Sequence, residues 1–94
     1  MSKLVISPTS RQDLSDIFDY MAKDKPIAAA NWVEKIEKKC MLIAATPDFG
    51  ESRPEYGSDI RSSVVGRYVI FYRAIGGGIE VARVIAGDRD IRSL

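Results

Sequence analysis

The stretch IRSSVVGRYVIFYRAIGGGIEVARVI, residues 60–85, decides the fold. Three β-prone runs, Ile60 to Val65, Tyr68 to Ala74 and Ile79 to Ile85, are separated by turn residues. Gly66-Arg67 suits a tight hairpin turn, and Gly76-Gly77-Gly78 supplies a second. The stretch therefore reads as an antiparallel meander of three strands. Gly87 ends it and leaves Asp88-Arg89-Asp90-Ile91-Arg92-Ser93-Leu94 as a charged tail.

Upstream, Pro47, Gly50, Pro54 and Gly57 break any regular element, so Thr46 to Ser58 reads as a loop. A loop of that length in a small domain is often functional. Before it, Ala29, Val33, Ile36, Cys40 and Ile43 step by four and three, the spacing of one buried helix face. Trp32, Met41 and Leu42 fall off that stripe, so the second helix is apolar over a wide arc. Pro26 opens it. An earlier helix starts at Ser7-Pro8, where Ser7 can cap free N–H groups and Pro8 needs no donor. Leu14, Ile17, Phe18 and Met21 form its apolar stripe, and Asp13, Asp16 and Asp19 face elsewhere. Lys3 to Ile6 reads as a first strand.

The predicted order is β-α-α-β-β-β in a single domain, residues 1–94. This is an α+β fold: a helical hairpin buries its stripes on one face of a small, mainly antiparallel sheet. The first strand most simply joins that sheet. The other sheet face is left partly open, and such a face often marks a partner surface.

Apolar residues at 46% and charged residues at 29% predict a folded chain. No apolar run approaches the roughly 20 residues that span a bilayer, and the start reaches Ser7-Pro8 too soon for a signal peptide. A cytoplasmic location is the resulting expectation. The single cysteine, Cys40, precludes an intramolecular disulfide and lies in the apolar pattern of a helix. Histidine is absent, which removes Ser-His and Cys-His mechanisms and the commonest metal ligand. Neither a metal site nor a cofactor is expected. The net charge of +1 predicts no nucleic-acid affinity, but the cations are segregated: every lysine lies at or before Lys39, and all arginines except Arg11 lie at or after Arg53.

Local motifs offer little chemistry. Gly76-Gly77-Gly78 lies between strands and does not precede a helix, so it is no phosphate cradle. Among Arg61, Arg67, Arg73 and Arg83 on the meander, Arg61 and Arg83 have the positions to converge on an anion. The competing reading is strand-end arginines paired with Glu80 or Asp59. Tyr56, Tyr68 and Tyr72 could stack on bases, but Tyr68 and Tyr72 share strand parity with Ile70 and read as packing under the helices. Asp88-Arg89-Asp90 has no pocket around it and is no carboxylate pair of the glycosidase kind.

Taken in order, Ser7-Pro8, Asp13-Leu14, Ile17, Tyr20, Pro26, Ala30, Ile36, Ala44, Pro47, Gly50 and Arg53 carry a resemblance. It continues through Arg61, Tyr68, Ile70, Tyr72, Arg83-Val84-Ile85 and Gly87-Asp88-Arg89-Asp90. Over essentially its whole length the chain resembles ParE toxins of the RelE/ParE superfamily, whose fold has the predicted order. The resemblance implies the toxin of a type II toxin–antitoxin pair. It also implies inhibition of DNA gyrase and neutralisation by a ParD-like antitoxin. In this family the tail after the last strand is linked to toxicity, which here points to Gly87 to Leu94. The chain departs from many relatives in having Ala86 where they carry histidine, and its tail is short.

The rival within the superfamily is a RelE-like, ribosome-dependent mRNA endoribonuclease. Acid–base chemistry on a ribose 2′-OH needs suitable groups. After Lys39 the chain has no lysine, and after Tyr72 it has no tyrosine. Arg83 is a poor base because it stays protonated. No catalytic residue is expected. Arg83, Asp88, Arg89 and Arg92 are the expected target-binding residues, and Trp32, Ile36 and Leu42 the expected antitoxin contacts.

Overall fold

A computed structural model of the chain describes residues 2–87. Strand β1 spans Lys3–Ile6, helix α1 Pro8–Ala22 and helix α2 Pro26–Ala45. A 3-10 turn at Pro47–Phe49 leads into the short β2, Glu51–Ser52. The meander follows as β3 (Ile60–Val65), β4 (Tyr68–Ile75) and β5 (Gly78–Ala86). The β-α-α-β-β-β order stands, with β2 as an additional two-residue edge strand inside the segment expected to be a loop. Among the described residues no helix is long and apolar enough to cross a membrane.

The sheet order is β1-β5-β4-β3-β2. The meander and β2 pair antiparallel, whereas β1 runs parallel to β5, with Leu4 opposite Ile79 and Ile6 opposite Val81. Both helices cover one face. Ile36, Cys40 and Ile43 of α2 and Leu14 of α1 bury against Tyr68, Ile70, Tyr72, Ile79, Val81 and Val84. Phe18, expected on the buried stripe of α1, is instead partly exposed. On the opposite face Ile60, Phe71 and Ile85 form a second, smaller core covered by Tyr56.

One irregularity sets the geometry of β5. Phe71 pairs with Arg83 while the next residue, Tyr72, pairs with Val81, so Ala82 is extra. This bulge reverses the strand's alternation, as one added residue must. Val81 and Val84, three apart, therefore both reach the main core.

The edge of β5 beyond β1 is taken up by α1. Ser7 caps the helix, its Oγ accepting from the Ser10 N–H at 3.1 Å. The Ser7 and Ser10 hydroxyls lie 3.2 and 3.0 Å from the carbonyls of Ala82 and Val81. One turn further on, the Val84 N–H donates to Asp13 Oδ2 at 2.9 Å. Backbone groups that would otherwise be open to another strand are thus satisfied by side chains.

Candidate functional site

Arg83 is the one described member of the expected target-binding set, and it is not a free cation. Its Nε donates to Asp13 Oδ2 at 2.8 Å and its Nη2 to Asp13 Oδ1 at 3.0 Å, a two-pronged pairing. The side chains are only 24% and 10% exposed. The hydrogen bonds to Asp13 push the Arg83 pKa further up, so it stays protonated with its charge compensated. Arg83, expected to contact the target, is thus tied to α1 by this pairing, with about a quarter of its side chain left exposed. Asp13, expected to face away from the apolar stripe of α1, is the other half of that pairing. Asp88, Arg89 and Arg92 lie outside the described residues.

Arg61 and Arg83 do not share an anion site. Arg61 Nη1 donates to the Gly50 carbonyl at 2.8 Å and the Asp48 carbonyl at 3.3 Å. Beside it the Tyr72 hydroxyl accepts from the Gly50 N–H at 2.7 Å and donates to the Pro47 carbonyl at 2.9 Å. Burial raises the Tyr72 pKa, which keeps the phenol neutral as a two-way hydrogen bonder. These contacts pin residues 47–50 against the sheet. A Cβ at Gly50 would collide with the Tyr72 hydroxyl and come within 2.7 Å of the Ser62 carbonyl.

Arg73 of the meander and Arg53 before it are also engaged. Arg73 pairs with Glu80 at 3.0 Å and with Asp59 at 3.5 Å. Arg53 pairs with Glu55 at 3.0 Å, and its guanidinium lies over the rings of Tyr56 and Phe71 at 5.4 and 5.6 Å. Tyr56 meets Phe71 edge-on at 5.3 Å. Tyr68 and Tyr72 are buried under the helices, as their strand parity predicted. Arg67, in the β3–β4 turn, has no carboxylate partner among the described residues.

The three residues expected to meet an antitoxin separate into two kinds. Leu42 is 67% exposed and lines one hollow with exposed Val64, while Met41 and Phe49 are exposed as well. Trp32 is half-buried, edge-on to Tyr68 at 5.8 Å, with Lys35 Nζ 5.0 Å from its ring. Its ring rests on Gly66, where φ is +58° and an added Cβ would stand 2.7 Å from Trp32 Cζ3. Ile36 is 0% exposed and belongs to the core, so its expected role as an antitoxin contact is corrected. Its burial agrees with the helical spacing that placed it on one stripe with Cys40 and Ile43. Val64 and Phe49 were missed: Val64 sits inside a β-prone run, and its outward direction depends on register.

Cys40 is fully buried, and burial pushes its thiol up to about 12, so it is an inert packing residue. Among the described residues no three His, Cys, Asp or Glu side chains are grouped to hold a metal ion.

No curated protein sequence matches the chain. A solved structure titled "Chromosomal ParDE TA system from P. aeruginosa" superposes with a TM-score of 0.77 at 20% identity. The match covers 92% of this chain and 96% of that one, and it carries the fold. The family described as "ParE toxin of type II toxin-antitoxin system, parDE" matches residues 4–91. The chain belongs to the ParE toxin family of type II toxin–antitoxin systems.

Proposed function

We propose that this ParE-family toxin acts without catalysis, by binding DNA gyrase, and is neutralised by a ParD-like antitoxin. The observation carrying this reading is the state of the sheet's polar groups. Arg53, Arg73 and Arg83 are each paired with a carboxylate, and Arg61 is bound to backbone carbonyls. A nuclease of the RelE type would need cations open to a phosphate and a group able to move a proton. Here Tyr68 and Tyr72 are buried, and of the sheet arginines only Arg67, in the β3–β4 turn, lacks a hydrogen-bonded partner for its side chain among the described residues. A binder requires neither.

The antitoxin-facing surface in this reading is the solvent side of α2 around Leu42 and Val64, with Phe49 beside Lys39 and Trp32 beside Lys35. Lys35, Lys38 and Lys39 rim it. An amphipathic helix laid along such a surface is the matching partner element. The carboxyl-terminal tail, with Asp88, Arg89 and Arg92, is assigned to target contact on the family resemblance.

The test is induction of the protein with and without its antitoxin, followed by a cleavage assay on purified gyrase. Trapped gyrase–DNA cleavage complexes and a DNA-damage response, with messenger RNA intact, are expected. Rapid ribosome-dependent cleavage of messenger RNA would establish the RelE-like endoribonuclease instead.

A further inference from the structure

We propose that the end of the molecule built from the α1–α2 and β3–β4 turns is the body of the target-docking surface, receiving an acidic, apolar-bearing segment of the toxin's protein target. This inference rests on the proposed function, and it names a surface other than the tail, adjoining the antitoxin-facing side of α2 at Trp32.

Three observations place it there. The two turns enclose a cleft of about 500 Å³, walled by Tyr20 and Trp32, with Tyr68 at its base. Tyr20 is 77% exposed, an aromatic ring held on a helix with no burial of its own to explain it. The cleft is cationic at its mouth: Lys23 and Lys25 stand on one turn and Arg67 on the other. None of the three has a salt-bridge partner among the described residues, whereas the other described arginines of the meander are all engaged. In a chain of net charge +1, this concentration at one end is a local excess. Asp24, between the two lysines, lines the cleft; Asp16, which accepts from Gln12 at 2.8 Å, and Asp13, which is paired with Arg83, line the adjoining hollow with Tyr20 and Arg67.

The surface is also pre-formed. Gly66 is wedged under Trp32, and the Gly87 N–H donates to the Arg67 carbonyl at 2.7 Å. That last bond places the end of β5 beside Arg67. Apolar walls with a cationic rim match a segment carrying an aliphatic or aromatic side chain beside carboxylates. Trp32 walls this cleft, and its neighbours Gly66 and Lys35 line the hollow at Leu42. An antitoxin anchored on Trp32 would therefore obstruct target docking, which gives neutralisation a steric basis.

The experiment compares the full-length chain with the triple variant Lys23→Glu, Lys25→Glu, Arg67→Glu and with Tyr20→Ala. All four positions are exposed, so the fold should be retained, and a melting curve checks this. Binding to purified gyrase and to the antitoxin is measured across salt concentrations, together with growth arrest. The triple variant should bind gyrase at least about tenfold more weakly and lose the parent's salt dependence, with antitoxin affinity unchanged. Tyr20→Ala should weaken gyrase binding without altering the salt dependence. Full gyrase affinity in both variants overturns the proposal, as does an equal loss of antitoxin affinity. If the parent arrests growth but does not bind gyrase, the gyrase reading fails alone. The cleft is then judged by growth arrest, which the triple variant should lose if the proposal holds and retain if it does not. A parent that neither binds gyrase nor arrests growth overturns both.

Discussion

Replacing Asp13 by alanine removes three hydrogen bonds at once: two from Arg83 and one from the Val84 N–H. It leaves a guanidinium with no counter-charge and a strand-edge N–H with no acceptor. Breaking a fully buried ion pair costs about 3–5 kcal/mol. Arg83 keeps a quarter of its side-chain exposure, so water recovers part of that loss. About 2–3 kcal/mol is the resulting expectation. For a domain of this size the total is about 5–14 kcal/mol, so the melting temperature should fall by about 10–20 °C. Asp13→Asn, which keeps one acceptor oxygen, should cost less. The decisive measurement is a double-mutant cycle with Arg83→Ala, by urea denaturation, where a coupling of about 1.5–3 kcal/mol is expected. The Val84 amide should also lose protection from hydrogen exchange in Asp13→Ala, because its acceptor is gone. A melting point within about 3 °C of the parent, with no coupling to Arg83, would refute the view that this pair fastens α1 to the edge of β5.

Further outcomes are expected from the same structure. Because the folded-state pKa of Cys40 is raised from 9.0 to about 12, the unfolded chain loses its thiol proton first as pH rises. Its contribution is fully present below pH 9 and is lost above it, at about 1.4 kcal/mol per pH unit, toward pH 12. Denaturant midpoints of the parent and Cys40→Ala should show that difference in slope, and the thiol should resist thiol reagents until the chain unfolds. Gly50→Ala should destabilise by about 1–3 kcal/mol through its clash with Tyr72, read by thermal melting. Tyr72→Phe should lose about 1–2 kcal/mol and release the Gly50 amide to exchange. Ile36→Ala should cost about 2–5 kcal/mol of stability as a core truncation. Leu42→Ala should instead leave the melting point within about 2 °C while weakening the antitoxin complex, and the reverse pattern would displace the antitoxin from this side of α2.

The elements of this protein were legible because their signals are local. Period-two runs divided by Gly66 and Gly76-Gly77-Gly78 specify a meander, and the four-and-three spacing from Ala29 to Ile43 specifies a helix with one buried side. Ser7-Pro8 marks a helix start because capping involves only the next few residues. The candidate surfaces were legible only in part. Trp32 and Leu42 stood out as apolar residues off the stripe, whereas Ile36 lay on the stripe whose spacing already marked it for burial. The pairing of Asp13 with Arg83 joins residues seventy positions apart and depends on the extra residue at Ala82. Nor did the sequence state that β1 runs parallel beside β5, that β2 forms at all, or that Val64 points outward. Propensity acts over a few neighbours, and the composition of one strand is compatible with several registers. Strand register, and with it which cations are neutralised and which remain open at the surface, is decided only when distant segments pack together.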